Sequence, residues 1–418
     1  MKGDYRARLA DRELRELVTG TGAVVIEGPR ACGKTETARR LAASEVLLDI
    51  DQGALAAAQL NPSLILEGKT PRLIDEWQLE PSIWNHVRRA VDDRGRPGQF
   101  ILTGSSIPTD EHTRHSGAGR FARLRMRPMS LSETGASTAA VSLDGLMQGG
   151  RADSPDSGIS LPEIAELISR GGWPTLVDLP LKVGLRAVSD YLDEVRRTDI
   201  RRVDGVNRDP ERVGRVMASL ARNVATEVSA ATIAAETSPN DPPKQHTVGE
   251  YLSALERLFV VENQPAWAPH LRSRHLLRGA PKRHFVDPSL AVAALRSSPD
   301  PLLRDLNRFG LMFESLVVRD LRIYSQAIGG TVSHYRDSSG LEVDAIVEAR
   351  DGLWLAIEVK LGGQRQIEEA ARELTKFVSR IDTARCGDPA ALVIIVASGY
   401  AYTRRDGIQV VPITTLGG

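Results

Sequence analysis

Eight consecutive residues near the N-terminus have the types and spacing that bind a phosphate group. They read GPRACGKT and fit the pattern G-x-x-x-x-G-K-[ST]. Glycines in such a loop let backbone N–H groups turn inward around phosphate oxygens. The lysine would reach the β- and γ-phosphates of a nucleotide, and the threonine would ligate Mg²⁺. The alternative is an ordinary glycine-rich turn. The candidate binding residues of this glycine loop are Gly28, Pro29, Arg30, Ala31, Cys32, Gly33, Lys34 and Thr35.

Two later runs end in polar residues that could complete the same site. In RLIDEW, Asp75 follows an apolar run and would hold the Mg²⁺, directly or through water. Glu76 would polarise the attacking water. In ILTGSS, Thr103 is a candidate to sense the γ-phosphate or orient water. The pattern does not separate Thr103 from Ser105 and Ser106, and an ordinary turn fits the same residues.

One arginine is a candidate for a neighbouring subunit's site. Arg120 follows the sequence Gly-Ala-Gly, which would leave it exposed. An arginine finger, which stabilises the charge of phosphoryl transfer, requires such a residue. The alternative is that Arg120 belongs to the solvated face of a strand, together with Arg123, Arg125 and Arg127.

A separate candidate site lies in the stretch GLEVDAIVEARDGLWLAIEVK, which ends at Lys360. We assume that residues 350–352 form a three-residue hairpin loop with its glycine in the left-handed conformation. Together with the two-residue alternation of strands, this loop defines how the two strands of the hairpin pair. Asp344 then lies opposite Glu358, and Glu342 opposite Lys360, with Cβ atoms roughly 4.5–5.5 Å apart. Opposed carboxylates call for a cation, and Mg²⁺ or Mn²⁺ suits their oxygens. Lys360 would orient water or stabilise charge on a phosphate. The alternative is an inert hairpin with surface acids.

The elements that position the first group alternate between strand and helix. Buried strands are predicted at 23–28, 45–51, 71–76 and 99–105, with helices at 34–43 and 81–95. Such alternation predicts an α/β domain with a parallel sheet.

The middle of the chain is predicted to be mostly helical. Residues 136–160 form a loop or linker, and helical patterns continue to about residue 235. Helix, turn, helix, strand and strand then follow in the order of a winged helix. Its second helix carries Arg257 as its only Lys or Arg, so docking is at least as good an interpretation as DNA binding. The basic stretch 270–284 could contact phosphates.

Composition limits the classes of function. The 54 basic and 54 acidic residues cancel, which argues against a protein that coats nucleic acid by charge alone. No apolar run approaches the roughly 18–20 residues of a membrane span. The N-terminus lacks a secretion signal, and two cysteines are too few for a disulfide framework. We therefore expect a cytoplasmic protein with no membrane partner.

The motifs resemble, in order, those of bacterial and archaeal AAA-type P-loop ATPases that carry a C-terminal DUF4143 domain. The matching runs are GPRACGKT, RLIDEWQ, ILTGSS and GRFARLRMRPMSLSE. The resemblance implies ATP and Mg²⁺ as cofactors, hydrolysis at Lys34, Thr35, Asp75 and Glu76, and Arg120 at the matching Gly-Arg. It also implies a homo-oligomer that shares its sites between subunits.

The C-terminal stretch resembles the PD-(D/E)xK nuclease superfamily, which has an Asp, a gap and then Glu-x-Lys on the next strand. VDAIVE and LAIEVK match, with Val343 in place of the usual proline. The resemblance implies Glu314, on the preceding helix, as a further metal ligand beside Asp344 and Glu358. It makes Asp344, Glu358 and Lys360 the catalytic candidates and implies DNA or RNA as a substrate.

The predicted fold class is α/β, with an N-terminal P-loop AAA-type parallel sheet and a C-terminal restriction-endonuclease-like domain. The predicted domains are an ATPase domain (1–140), a linker and helical segment (141–205), a winged helix (206–299) and a nuclease-like domain (300–418). The predicted function is Mg·ATP hydrolysis coupled to action on or near nucleic acid. The alternative is a nucleotide-switched binding module, for DNA or a protein partner, with an inert nuclease fold.

Overall fold

The computed structural model describes residues 5–107, 115–203, 205–238, 240, 242–268 and 279–418. The chain divides into two compact units. The first unit is Met1–Pro128, Arg197–Arg208 and Ser253–Val260, and the second is Met129–Arg196, Asp209–Leu252 and Val261–Gly418. The division into four domains stays a prediction.

The described residues contain thirteen strands and seventeen α-helices. The strands are β1 (Ala23–Glu27), β2 (Ser44–Leu47), β3 (Arg72–Asp75), β4 (Phe100–Gly104), β5 (Phe121–Arg125), β6 (Val141–Ser142), β7 (Thr331–Arg336), β8 (Glu342–Glu348), β9 (Trp354–Lys360), β10 (Ala391–Val396), β11 (Tyr402–Thr403), β12 (Gln409–Pro412) and β13 (Leu416–Gly417). The helices are α1 (Ala10–Gly20), α2 (Lys34–Arg39), α3 (Gln52–Leu60), α4 (Ile83–Arg94), α5 (Leu131–Thr134), α6 (Leu143–Met147), α7 (Leu161–Arg170), α8 (Leu181–Glu194), α9 (Ile200–Arg202), α10 (Pro210–Arg222), α11 (Ala230–Thr237), α12 (Gln245–Arg257), α13 (Pro288–Ala294), α14 (Pro299–Arg304), α15 (Leu306–Ala327), α16 (Gln364–Val378) and α17 (Thr383–Cys386). No helix in the described ranges has the length and apolar character to span a bilayer.

The first unit is built on a parallel sheet in the order β2-β3-β4-β1-β5. Alternate residues of β1 enter different cores: Val25 packs in the cluster that contains Trp84 of α4, and Val24 packs with Leu14 of α1. Burial on both faces is expected of a parallel sheet covered by helices. The predicted parallel α/β fold is confirmed, although its strands are shorter than the apolar runs. The carboxyl ends of β1, β3 and β4 meet at one edge, where the candidate residues follow.

The second unit contains a six-stranded mixed sheet in the order β11-β12-β10-β9-β8-β7. In the hairpin of β8 and β9, Ala345 pairs with Ile357 and Val347 with Leu355, which is the register predicted from the sequence. Gly352 adopts φ +88°, the left-handed conformation that the three-residue loop requires. The long helix α15 is buried along most of its length and packs against β7, β8 and β9.

The middle region has the predicted helices, whereas the two predicted strands are present among the described residues only as isolated bridges. Helices α10, α11 and α12 precede two antiparallel bridges, Val261 with Phe285 and Gln264 with Lys282. Within the first unit, the Arg257 guanidinium donates to the carbonyl of Ile107 at 2.6 Å and is therefore engaged inside the protein. Most of the basic stretch 270–284 lies outside the described residues. The winged-helix identity and DNA binding stay predictions.

Candidate functional site

The glycine loop connects β1 to α2 and curls around its own lysine. Lys34 is 5 % exposed, and its Nζ donates to the carbonyls of Gly28 at 3.0 Å and Pro29 at 2.8 Å. Gly33 has φ +101°, and Ala31 has φ +60°. These left-handed residues make the loop turn inward, as phosphate-binding loops must. Lys34 is thus held where the sequence predicted it, with carbonyl partners that a phosphate could replace.

Neighbouring segments hold the rest of the loop. Arg8 donates to the carbonyl of Cys32 at 2.8 Å, and the Cys32 side chain is fully buried. Arg30 forms an ion pair at 2.7 Å with Asp199, which is itself buried. Asp199 was not among the sequence candidates, because it lies far along the chain in a segment with no recognisable motif. The loop is therefore braced from two other parts of the first unit.

We expect that Gly28→Ala disrupts the glycine loop. A Cβ at this position would lie 2.2 Å from the carbonyl oxygen of Met126, a backbone atom that cannot rotate away. The variant should lose measurable ATP binding or fail to fold, as titration calorimetry and circular dichroism would show. Gly20→Ala, where a Cβ meets nothing within 4 Å, is the control and should match wild type. Wild-type ATP binding by Gly28→Ala would contradict the packing described here.

Three of the predicted residues form one hydrogen-bonded group at the carboxyl edge of the sheet. Thr35 donates its hydroxyl hydrogen to Asp75 Oδ1 at 2.8 Å, and Thr103 donates to the same oxygen. Strand β4, which carries Thr103, lies between β1 and β3 and so joins the glycine loop to Asp75. Burial raises the pKa of Asp75, and the hydroxyls of Thr103 and Thr35 oppose that rise. Of the three hydroxyl candidates, Thr103 thus contacts Asp75, while Ser105 contacts Glu76.

These residues fit a Mg²⁺ ion. The hydroxyl oxygen of Thr35 and the carboxylate of Asp75 lie 2.8 Å apart and beside the loop that would hold the phosphates. Hard oxygen ligands of this kind, completed by phosphate oxygens and water, are what Mg²⁺ takes in phosphoryl-transfer sites.

Glu76 is held by two polar side chains. Its Oε2 accepts hydrogen bonds from Ser105 Oγ at 2.9 Å and from Gln78 Nε2. Its backbone has φ +54°, a left-handed conformation that is uncommon for a residue with a side chain. Such strain often marks a functional position. Gln78 was missed as a candidate, although its position two residues after Glu76 was visible in the sequence.

Arg120 lies at the opposite edge of the sheet from the glycine loop. Its carbonyl accepts from Ala23 N, at the amino end of β1, while the glycine loop follows the carboxyl end. Four steps along a strand separate the two ends by roughly 13 Å. Its guanidinium pairs with Asp92 of α4 at 2.8 Å. Arg120 therefore does not reach the loop of its own chain, and a finger role would have to serve another chain.

The predicted residues of the C-terminal site converge in the second unit. Lys360 Nζ lies 2.6 Å from Glu358 Oε2 and 3.7 Å from Asp344 Oδ2. At Asp344 the side chain takes part in the strand pairing, because its Oδ2 accepts from Val359 N at 2.9 Å. Glu314, on α15, faces the same group. The register argument therefore placed these side chains together correctly.

A second lysine, not among the sequence candidates, occupies the centre of this group. Lys282 is 2 % exposed, and its Nζ lies 2.7 Å from Glu314 Oε1, 2.7 Å from Glu342 Oε1 and 3.3 Å from Asp344 Oδ1. We name Glu314, Glu342, Asp344 and Glu358, with Lys282 and Lys360, the carboxylate cluster. Among the described residues, no group of three or more His, Cys, Asp or Glu side chains is arranged to hold a metal ion. The predicted second Mg²⁺ or Mn²⁺ is therefore not shown at this cluster, where the Lys282 ammonium group lies between the carboxylates.

Burial and close charges shift the pKa values within the cluster. Burial raises the pKa of Glu314 to about 8, Asp344 adds to the rise, and Lys282 opposes it. Burial and then Asp344 raise the pKa of Glu358 well above its usual range. Burial would also raise the pKa of Asp344, but Lys282 and Lys360 outweigh it and leave that pKa lowered. The pKa of Asp344 differs in direction because both ammonium groups and the Val359 N–H stabilise its negative charge, whereas Glu314 pairs with Lys282 and Glu358 with Lys360.

The cluster borders a cavity of about 550 Å³ in the second unit. The lining also includes Arg336 and Lys376 with the backbone of Gly340. Solvent ions can therefore approach the carboxylates, although the residues themselves are mostly buried.

Comparisons with known proteins match three stretches of the chain. Residues 20–135 match an AAA domain, and residues 309–416 match a domain of unknown function (DUF4143). Residues 161–300 match a further domain of unknown function (DUF8612). No curated protein matches. Among 19 matching chains of solved structures is the Walker-type ATPase PABY2304 of Pyrococcus abyssi. That match has a TM-score of 0.41 and 13 % identity, and covers 70 % of this chain and 97 % of that chain.

Proposed function

We propose that the first unit binds ATP with Mg²⁺ at the glycine loop and hydrolyses it. The observation that carries the proposal is the contact of Thr35 with Asp75 at 2.8 Å, beside the buried Lys34. The AAA domain matched at residues 20–135 supports it, because every residue of this group lies within that range.

Each side chain has a separate role in this proposal. Lys34 exchanges its two loop carbonyls for β- and γ-phosphate oxygens, which are stronger acceptors for an ammonium group. Thr35 and Asp75 hold Mg²⁺, which supplies charge neutralisation at the phosphates when bound. Glu76 accepts the proton of the attacking water, with Ser105 and Gln78 orienting its carboxylate. Thr103 keeps Asp75 in position and would contact the γ-phosphate of a bound nucleotide.

Assembly is the finer part of the proposal. Arg120 faces away from its own glycine loop, so it contributes to hydrolysis only in a homo-oligomer that presents it to a neighbouring nucleotide. Its ion pair with Asp92 would then exchange for a phosphate oxygen, another charge-assisted contact. DNA, RNA or a protein partner remain proposed targets of the middle and C-terminal regions.

The second candidate function is the nucleotide-switched binding module with an inert nuclease-like domain. The contacts of Lys282 with three carboxylates favour it, because an ammonium group fills the position that metal-dependent cleavage needs for its metal. In this version the first unit still binds and hydrolyses ATP, and the second unit binds a partner without cutting it.

We expect Lys34→Ala to weaken ATP binding by about 10- to 150-fold. The estimate corresponds to the loss of charge-assisted hydrogen bonds worth about 1.5–3 kcal/mol. Titration calorimetry with Mg·ATP measures the change. Lys69→Ala, which alters an exposed lysine of the same unit, is the control and should bind like wild type.

Two results would contradict the proposal in different ways. Absence of Mg·ATP binding by the wild-type protein would exclude the function itself. Equal affinities of wild type and Lys34→Ala would instead place the nucleotide away from the glycine loop.

A further inference from the structure

The carboxylate cluster contains its own cation. Lys282 enters it from the segment that forms an isolated antiparallel bridge with Gln264, 32 residues before Glu314 and 62 before Asp344 in the chain. Its ammonium group contacts three of the four acidic side chains, and Lys360 contacts Asp344 and Glu358. Every acidic member is therefore paired with a lysine.

The backbone fixes the position of Lys282. Its N–H donates to the carbonyl of Gln264 at 3.0 Å, and Gln264 N donates back to Lys282 at 2.9 Å. The Gln264 amide in turn donates to the carbonyl of Asp344 at 2.9 Å and to that of Ser333 at 3.0 Å. Gln264 therefore links the backbone of Lys282 to that of Asp344 in β8, in addition to the ion pair between the two side chains. This lysine is a buried part of the cluster and not a surface side chain that has folded inward.

We propose that Lys282 supplies, from within the chain, the positive charge that the sequence assigned to a second divalent metal ion. Its ammonium group takes the oxygen atoms of Glu314, Glu342 and Asp344 that a metal would need. A divalent ion bound to the same oxygens would lie within a few ångströms of the ammonium group and be repelled by it. The C-terminal site consequently needs no metal. This inference does not depend on the proposed ATPase activity.

Manganese binding tests the inference directly. Nucleotide-free full-length protein is titrated with Mn²⁺ alone, and free Mn²⁺ is counted by electron paramagnetic resonance. Wild type and Asp344→Asn should bind the same number of ions. Lys282→Ala should bind one ion more, because it leaves three carboxylates facing the cavity, and the double variant Lys282→Ala/Asp344→Asn should lose that ion. Lys376→Ala removes another lysine of the same cavity and should gain none.

Thermal unfolding covers the case in which Lys282→Ala is poorly folded. Saturating Mn²⁺ should raise the Tm of Lys282→Ala by at least about 2 °C more than that of wild type, because the ion replaces the missing charge. Cleavage assays with DNA and RNA in Mg²⁺ or Mn²⁺ should give equal results for wild type, Asp344→Ala and Lys360→Ala.

Three outcomes would overturn the inference. The first is a wild-type Mn²⁺ site that Asp344→Asn abolishes. The second is a Lys282→Ala protein that gains no ion, or that stays unfolded in Mn²⁺, since the lysine and the metal would then not be interchangeable. The third is metal-dependent cleavage by wild type that both Asp344→Ala and Lys360→Ala lose.

Discussion

We expect Glu76→Gln to lower the rate of ATP hydrolysis by about 10²- to 10⁴-fold, which is the range for loss of a general base, and to leave ATP bound. Glutamine has the shape of glutamate and can still accept the hydrogen bond that Ser105 now donates to Glu76 at 2.9 Å. Its neutral amide cannot take a proton from water. Lys34, Thr35 and Asp75, the proposed ligands of the phosphates and Mg²⁺, are untouched. Phosphate release measures hydrolysis, and titration calorimetry with Mg·ATP measures binding.

The control for this variant is Glu16→Gln. Glu16 lies on α1, and its side chain is 70 % exposed. The Glu16→Gln variant should therefore hydrolyse ATP at the wild-type rate. Normal turnover by Glu76→Gln would remove Glu76 from the mechanism. Loss of ATP binding together with turnover would show that Glu76 holds the nucleotide site together and is not its base.

We expect Arg319→Met to destabilise the second unit by about 3–5 kcal/mol, the cost of breaking a buried ion pair from one side. Arg319 lies on α15 and is 2 % exposed. Its Nη1 donates to Asp287 Oδ2 at 2.8 Å, and its Nε donates to Asp320 Oδ1 at 2.8 Å. The two aspartates also accept the backbone N–H groups of Gly172 and Leu131. Methionine would fill much of the volume but leave both carboxylates without their counter-charge.

Urea unfolding followed by circular dichroism measures this effect as a shift of the midpoint. Arg365→Met is the matched control, because Arg365 pairs with Glu369 on the surface of α16 and its side chain is 91 % exposed. Surface pairs of this kind contribute less than about 1 kcal/mol. An unchanged midpoint in Arg319→Met would mean that the buried aspartates gain no stability from the arginine.

Local patterns predicted the parts of the molecule that local rules determine. The strand period and the left-handed Gly352 determine the hairpin register, and that register brings Asp344 and Glu358 together. The spacing of GPRACGKT likewise predicted the glycine loop to which Lys34 donates its hydrogen bonds. In both cases the interacting residues lie within about twenty positions of each other, so the sequence itself carries the geometry.

Contacts made by tertiary packing left no comparable pattern. Lys282 meets Asp344 across 62 residues, and Asp199 meets Arg30 from a segment with no motif. One compositional signal was available: the chain has only eight lysines, and three of them, Lys34, Lys282 and Lys360, lie in the two sites. Because almost all other basic residues of this chain are arginines, each lysine was a candidate for a specific role.

The order in which the first unit is synthesised follows from its discontinuous sequence. Ser253–Val260 belongs to this unit, with Phe259 beneath the guanidinium of Arg125 at 4.0 Å and Arg257 bonded to Ile107. The ribosome adds 132 residues between residue 128 and residue 260, and at ordinary translation rates this synthesis takes roughly 7 to 26 s. For that interval all five strands of the sheet exist while the partners of Arg125 and Ile107 do not. The contacts of Arg125 with Phe259 and of Ile107 with Arg257 therefore form only after every strand of the sheet has been synthesised.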